Sequence, residues 1–185
     1  MRDVEIERRL LAPLIDPLLG IKARLNVTYN IVVKRNYQPS QQGRPSDPAV
    51  FFFKVTDRRV GQREISEAQD PVTLTMTRTE RQAMETIYQF GALVPEYPED
   101  DPDIPLAGDL LKAAAATLQA PDFIYSLKQA KAGVQRITDV RTTQVENDRG
   151  QFEANPTFDV TISHVDEFVT TVPATSVLGV NIKRV

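Results

Sequence analysis

The strongest constraint on the fold is a change in the spacing of apolar residues along the chain. Residues 158–166 alternate apolar and polar side chains, which predicts a strand with one buried face. Residues 110–118 place leucine and alanine three and four positions apart, the spacing of a helix with one apolar side. A chain of 185 residues that contains both patterns is predicted to be α+β, with one helix, then strands, a helical pair and more strands.

The same rules place the other elements. A helix is predicted to start at Asp3, to be interrupted by Pro13 and Pro17, and to end at Gly20. The second helix of the pair is predicted to begin at Pro121 and to be closed by Gly133. Periodicity does not separate helix from strand in residues 79–90. The predicted strands cover residues 25–34, 49–60, 72–76, 134–146, 158–166 and 177–182.

Consecutive phenylalanines in the second predicted strand raise the question of which face is buried. Phe51, Phe53 and Val55 fall on one face and are predicted to belong to the core. Phe52 falls on the other face, so both faces of this strand could be covered, and it breaks the alternation of its strand, as Val32 does in the strand before. We therefore predict that Phe52 and Val32 contact another subunit. Gly61, directly after this strand, is predicted to form a bulge or a turn.

Two segments are too polar and too rich in proline to form regular structure. Residues 36–48 combine three prolines with serine, glutamine and asparagine. Residues 93–105 interleave four prolines with five acidic residues and contain no lysine or arginine, which favours an extended chain. The whole chain, residues 1–185, is predicted to be a single domain that carries these two segments as loops.

Composition excludes several classes of function. The net charge is −3 and the pI about 5.3, which argues against a general binder of nucleic acid or anionic membranes. Without cysteine, the chain has no disulfides, thiolate metal sites or cysteine nucleophiles. No apolar run is long enough to cross a membrane, and the first residues lack the apolar core of a signal peptide.

Ser163, His164 and Asp166 superficially offer a nucleophile, a base and an orienting carboxylate. Adjacent residues of a strand point to opposite faces, so Ser163 and His164 are not expected to meet. We predict that His164, the one histidine, is exposed or paired across the strands. With Asp166 and Glu167 it makes a weak metal signal. The sequence is therefore predicted to contain no catalytic, metal or cofactor site.

Charge is distributed unevenly, which indicates where subunits could meet. Residues 34–63 have a net charge of +5, and residues 93–109 have a net charge of −6. These segments could face solvent, or they could dock head to tail between two copies of the chain. The charged interface candidates are Lys34, Arg35, Arg44, Arg58, Arg59 and Arg63 on the basic side and Glu96, Glu99, Asp100, Asp101 and Asp103 on the acidic side.

The order of these elements resembles the tail-terminator or neck proteins of tailed bacteriophages. The resemblance spans roughly residues 3–184 and lies in order and spacing. It is carried by four stretches: Lys34-Arg35-Asn36-Tyr37-Gln38 with the following strand, residues 81–91 with their Gln-x-x-Gly-like end, the helical pair followed by Ile137-Thr138-Asp139-Val140-Arg141, and residues 158–164 with a closing strand. It implies a strand for residues 82–90. It also implies a tail-terminator-like α+β fold, with the N-terminal helix and the helical pair packed on a mixed, mostly antiparallel sheet.

The resemblance implies a structural virion protein and not an enzyme. Its relatives form rings, commonly hexamers, that cap the tail tube and join it to the head-completion proteins, with DNA only passing through the central channel. Such a protein is assembled in the host cytoplasm and resides in the neck of the virion, without cofactors or membrane contact. Another phage part, such as a head-completion or minor tail subunit, and a small-molecule-binding or hydrolytic α+β domain remain as alternatives.

Overall fold

The computed structural model describes residues 3–35, 47–94, 105–146 and 152–173, and shows the expected α+β arrangement. The helices are α1 (Asp3–Leu14), α2 (Ile21–Leu25), α3 (Ala107–Leu118) and α4 (Pro121–Gln129). The strands are β1 (Val32–Arg35), β2 (Ala49–Asp70), β3 (Thr75–Leu93), β4 (Ala132–Ile137), β5 (Arg141–Glu146) and β6 (Phe152–Pro173). Residues 79–90, ambiguous by periodicity, lie in a strand as the resemblance implies.

The described strands form one mixed sheet with the order β1-β2-β3-β6-β4, and β5 also pairs with β6. β1 runs parallel to β2, and the other pairs run antiparallel. This arrangement confirms the mostly antiparallel sheet. Three strands, β2, β3 and β6, are about 20 residues long, far longer than the usual five or six. Their length determines the shape of the molecule.

Helices cover one face of one end of the sheet. Ile6, Leu10 and Leu14 of α1 are spaced by four residues and are almost fully buried, as the helical spacing predicts. They share a core with apolar residues of α3 and α4 and with the sheet. The Phe90 ring stacks between Phe52, with ring centroids 5.2 Å apart, and Phe158, at 4.9 Å. This aromatic row across three strands joins the sheet to the helices.

The prediction that the face with Phe51 and Phe53 is the core face of β2 was wrong. Phe52 has no exposed surface and lies in the aromatic row, whereas Phe51 and Phe53 are half-buried on the opposite face. The register explains the outcome, because Phe52 pairs with Phe90 under the helices. Phe51 pairs with Gly91, and its ring occupies the place where a Cβ at that glycine would lie. Phe52 therefore offers no surface to another subunit and is withdrawn as an interface candidate.

Two helix boundaries and one strand boundary also differ from the predictions. Gly20 does not end α1, which stops at Leu14, but precedes α2, and the strand predicted from residue 25 begins only at Val32. A Cβ at Gly20 would lie 2.5 Å from the Asp16 carbonyl oxygen, so close packing of the backbone explains this glycine. Helix α4 ends at Gln129, and Lys131, two residues later, takes a left-handed backbone conformation. Gly133 does not close the helix but belongs to β4.

Beyond the described helices the three long strands continue as a three-stranded ribbon, which we call the blade: residues 60–70 of β2, 75–83 of β3 and 165–173 of β6. Gly61, with φ +67°, lies in a register shift between Val60 and Glu64, which confirms the predicted bulge. Residues 72–74 form part of the turn at its tip instead of a strand, because the Asp70 carboxylate accepts hydrogen bonds from the backbone of Val72 and the hydroxyl of Thr73.

Several predictions lie outside the described residues. These are most of the loop at residues 36–48, most of the acidic, proline-rich segment at residues 93–105, and the strand predicted at residues 177–182.

Candidate interaction surfaces

His164 lies at the root of the blade and is buried, with 5% of its surface exposed. His164 was predicted to be either exposed or paired across the strands, and it is paired: its Nε2 is 2.9 Å from the Thr86 hydroxyl. That hydroxyl donates to Asp57 Oδ1 at 2.8 Å. Since the Thr86 proton is used there, the hydroxyl accepts the proton of His164 Nε2, which defines the tautomer of the neutral ring.

The surroundings of His164 favour the neutral imidazole. Burial lowers the pKa of His164, although the Asp166 carboxylate, 3.3 Å from Nδ1, acts in the opposite direction. Burial raises the pKa of Asp57, but hydrogen bonds from Lys54 and Thr86 outweigh this effect and the pKa is lowered. The group therefore consists of a neutral ring held at Nε2 by the Thr86 hydroxyl, which donates in turn to a charged carboxylate, while Nδ1 is buried without a hydrogen-bond partner among the described residues.

Ser163 and His164 point to opposite faces, so they do not form a catalytic pair. The Ser163 hydroxyl donates to the Gly133 carbonyl at 3.2 Å, while His164 contacts Thr86 on the other face. A cleft of about 400 Å³ beside these residues is also lined by Glu85, Lys128 and Lys131. Because the serine hydroxyl and His164 Nε2 already have partners inside the chain, the cleft presents no activated nucleophile.

The charged interface candidates that the structure describes lie in two places. Lys34 and Arg35 are on β1, where Arg35 forms an ion pair of 2.8 Å with Glu7 of α1. Arg58 and Arg59 are exposed on β2 just before the blade, and Arg63 is on the blade, 2.5 Å from Glu80. Arg44 and the acidic residues Glu96, Glu99, Asp100, Asp101 and Asp103 lie outside the described residues.

In the blade, β3 lies between β2 and β6, which form its two edges, a feature that the sequence reasoning missed. β1 pairs with β2 only at residues 49–52, and β4 and β5 pair with β6 at residues 160–164 and 152–157. Among the described strand pairings, residues 60–70 of β2 and 167–173 of β6 therefore pair with β3 alone. A signal was present in the sequence, since β-branched and aromatic residues continue through residues 165–172 after the predicted strand end.

The described residues contain no group of three or more histidine, aspartate or glutamate side chains placed to hold a metal ion. None of the helices in the described ranges is long and apolar enough to cross a membrane. The features that remain for a function are the exposed blade and the basic residues beside it.

Comparison with known proteins identifies the family. No curated protein matches the sequence. The sequence model of a phage family described as E217 gateway protein gp29 matches residues 9–174, nearly the whole chain, including α3, α4 and all six strands. The protein therefore belongs to the E217 gateway protein gp29 family, a family of phage structural proteins of the gateway or connector type.

Proposed function

We propose that this protein is a ring-forming subunit of the phage neck that caps the tail tube and joins it to the head-completion proteins. Membership of a phage gateway family supports a structural role in head–tail joining and a place in the virion. The proposal adds the ring, which we expect to be a hexamer as the resemblance to tail terminators implies, and the position at the end of the tail tube.

The observation that carries the ring is the difference between the two edges of the blade, residues 60–70 of β2 and 167–173 of β6. They belong to different strands, β2 and β6, and lie on opposite sides of one ribbon. Two different surfaces of one chain that bind each other form a head-to-tail contact, which generates a closed ring when the rotation between copies closes. Identical edges would instead favour a twofold dimer.

Electron microscopy of the purified protein tests the ring. We expect particles of uniform diameter with a central hole, wide enough for DNA to pass without sequence-specific contacts. Monomers and twofold dimers at all concentrations, or open fibres, would contradict the proposal. Added to purified tail tubes and to DNA-filled heads, a tail terminator is expected to bind one end of the tubes first, whereas a head-completion subunit would bind the heads.

The charged segments enter the proposal as a second contact between copies. Reversal of Asp100, Asp101 and Asp103 to lysine is expected to impair ring formation, and additional reversal of Arg58 and Arg59 to restore part of it. Surface ion pairs stabilise weakly, so this contact would affect the rate and orientation of assembly more than its stability. If the reversed variant forms rings as the parent does, the acidic segment does not take part.

A further inference from the structure

Basic side chains gather around the cleft at the root of the blade, which we call the root cleft. Its volume is about 400 Å³, at the small end of the range for ligand pockets. Its lining combines apolar and charged residues from three strands and from the end of α4: Val60, Ala83, Glu85, Lys128, Lys131 and Ala132. Both lysines are exposed, and neither forms an ion pair with another residue of the described ranges.

A third cation lies on the same side of the sheet as the root cleft. Arg58 precedes Val60 by two residues on β2, so the two side chains point to the same face. Arg58 lies opposite Glu85 in the register of β2 and β3. Arg58 and the two lysines, three cations against the single Glu85 carboxylate, give the root cleft a net charge of +2. Glu167 lies nearby, but its carboxylate is paired with Arg81 at 2.6 Å.

Lys131 reaches the root cleft from a backbone conformation that is unfavourable for lysine. It follows the end of α4 with a φ of +56°, in the left-handed region where glycine or asparagine is the usual residue. No ion pair within the described residues offsets this strain, and Lys131 forms part of the wall of the root cleft. Strained residues in the walls of clefts often take part in binding, so this strain supports a binding role.

The acidic, proline-rich segment at residues 93–105 has the complementary chemistry. It contains four prolines and five acidic residues and no lysine or arginine. Prolines favour an extended chain, which loses little conformational freedom when it binds in a narrow cleft. Carboxylates of such a segment match the two lysines and Arg58, while its proline rings match the apolar residues of the lining.

The root cleft and the acidic segment lie at opposite ends of β3. Leu93, the last residue of β3, is ten residues from Ala83 in the root cleft, about 33 Å along the strand. Asp100 follows Leu93 by seven residues, which a fully extended chain spans in at most about 25 Å. Asp100 therefore does not reach the root cleft of its own chain, and the segment that binds there belongs to a second copy.

We propose that the root cleft binds the acidic, proline-rich segment of a neighbouring copy, with Arg58, Lys128 and Lys131 facing its carboxylates. This inference rests on the proposed ring and names the surface that receives the acidic segment in its second contact. The root cleft and the acidic segment are different surfaces of one chain, so their contact is head to tail and repeats around a closed ring. Arg59 takes no part, because it lies opposite Met84 and points to the other face.

A peptide tests the root cleft without the ring. A fluorescent peptide of residues 94–105 should bind dilute full-length protein at low salt, and added salt should weaken the binding. Arg58→Glu should weaken it by about five- to ten-fold, because an attraction becomes a repulsion. Arg59→Glu is the matched control and should change it little, since Arg59 is also exposed but lies on the other face. Equal effects of the two substitutions would overturn the inference, as would tighter binding of single-stranded DNA than of the peptide at the root cleft.

Lys131→Gly separates binding from folding. Glycine adopts the left-handed conformation without strain, so the variant should unfold at a higher urea concentration than the parent. The same variant lacks one cation of the root cleft and should bind the peptide about two- to five-fold more weakly. Lys128→Gln should weaken binding similarly without a change in stability. A gain of stability in Lys131→Gly with unchanged peptide binding would overturn the role of Lys131.

Cysteine cross-linking identifies the copy that supplies the segment, since the natural chain contains no cysteine. Mild oxidation of full-length D100C/K131C or D101C/K131C should give a ladder of covalent oligomers up to the ring size. The control D100C/K22C should give almost none, because Lys22 lies on α2, outside the root cleft. Monomers with an internal disulfide would overturn the inference, because the segment of the same chain would then occupy the root cleft.

The outcomes separate this inference from the proposed function. Rings seen by electron microscopy without a ladder from either K131C variant would overturn the root-cleft contact and leave the ring intact. Peptide binding that Arg58→Glu weakens and Arg59→Glu does not, in a protein that forms no rings, would support the root cleft and overturn the ring. Absence of peptide binding, ladder and rings would overturn both proposals.

Discussion

The base of the sheet and the blade are built from the same three strands but are stabilised in different ways. At the base, Phe52, Phe90 and Phe158 are fully buried under helices, and the aromatic row holds three strands together. In the blade, Phe168 is 62% exposed although it belongs to the same strand as Phe158. Strand β6 thus contributes to the core at one end and to an exposed surface at the other. Its apolar residues therefore do not all stabilise the fold.

The largest expected effect separates folding from association. Phe90→Ala should lower the free energy of unfolding by about 3–5 kcal/mol, because it empties the middle of the aromatic row. Phe168→Ala should leave the stability of the monomer within about 0.5 kcal/mol, since the side chain is mostly exposed, but should weaken assembly. Urea unfolding of dilute protein measures the first quantity and analytical ultracentrifugation the second. Equal losses of monomer stability would contradict the division into base and blade.

Glycines give a smaller contrast between the two regions. Gly20→Ala should lower the free energy of unfolding by about 1–3 kcal/mol, because the new Cβ would meet the carbonyl oxygens of Leu14 and Asp16. At Gly61 in the blade, no atom of the described residues lies within 4 Å of an added Cβ. There, only the positive φ disfavours a side chain. Gly61→Asn should therefore be tolerated better than Gly61→Ala, as asparagine adopts this conformation more readily. The same preference at Gly20 would contradict the packing explanation.

The smallest expected effect is a pH dependence at the boundary between the regions. His164 has a pKa that burial lowers, so the unfolded chain takes up a proton before the folded chain does. Stability should be complete above about pH 6.5, the ordinary imidazole pKa, and should fall as the pH is lowered through the interval down to the folded pKa. Chemical unfolding followed as a function of pH measures this slope.

His164→Gln is the control, because its amide can still donate a hydrogen bond to Thr86 but does not titrate. It should remove the part of the slope that arises from His164 while the carboxylates keep theirs. An unchanged slope would mean that folding does not shift the pKa of His164, which would contradict the effect of burial.

Sequence patterns were enough to predict the class of elements and the broad class of the protein. Alternation at residues 158–166, helical spacing at residues 110–118 and the order of elements led to the α+β fold, and the resemblance led to a phage structural protein. Period-two and period-3.6 patterns arise from local backbone geometry, so they can be read without knowing the neighbours. The absence of cysteine likewise depends on the chain alone.

Tertiary structure decided which face each strand buries and where the strands end. Phe52 and Phe53 are indistinguishable by composition, and only the pairing of Phe52 with Phe90 beneath the helices selects the buried face. The blade could not be recognised from periodicity, because its central strand is polar and its edges carry the apolar residues that a core would also contain. Burial and edge exposure are properties of several strands together, so the surface by which copies of this chain would meet became visible only once β2, β3 and β6 were aligned.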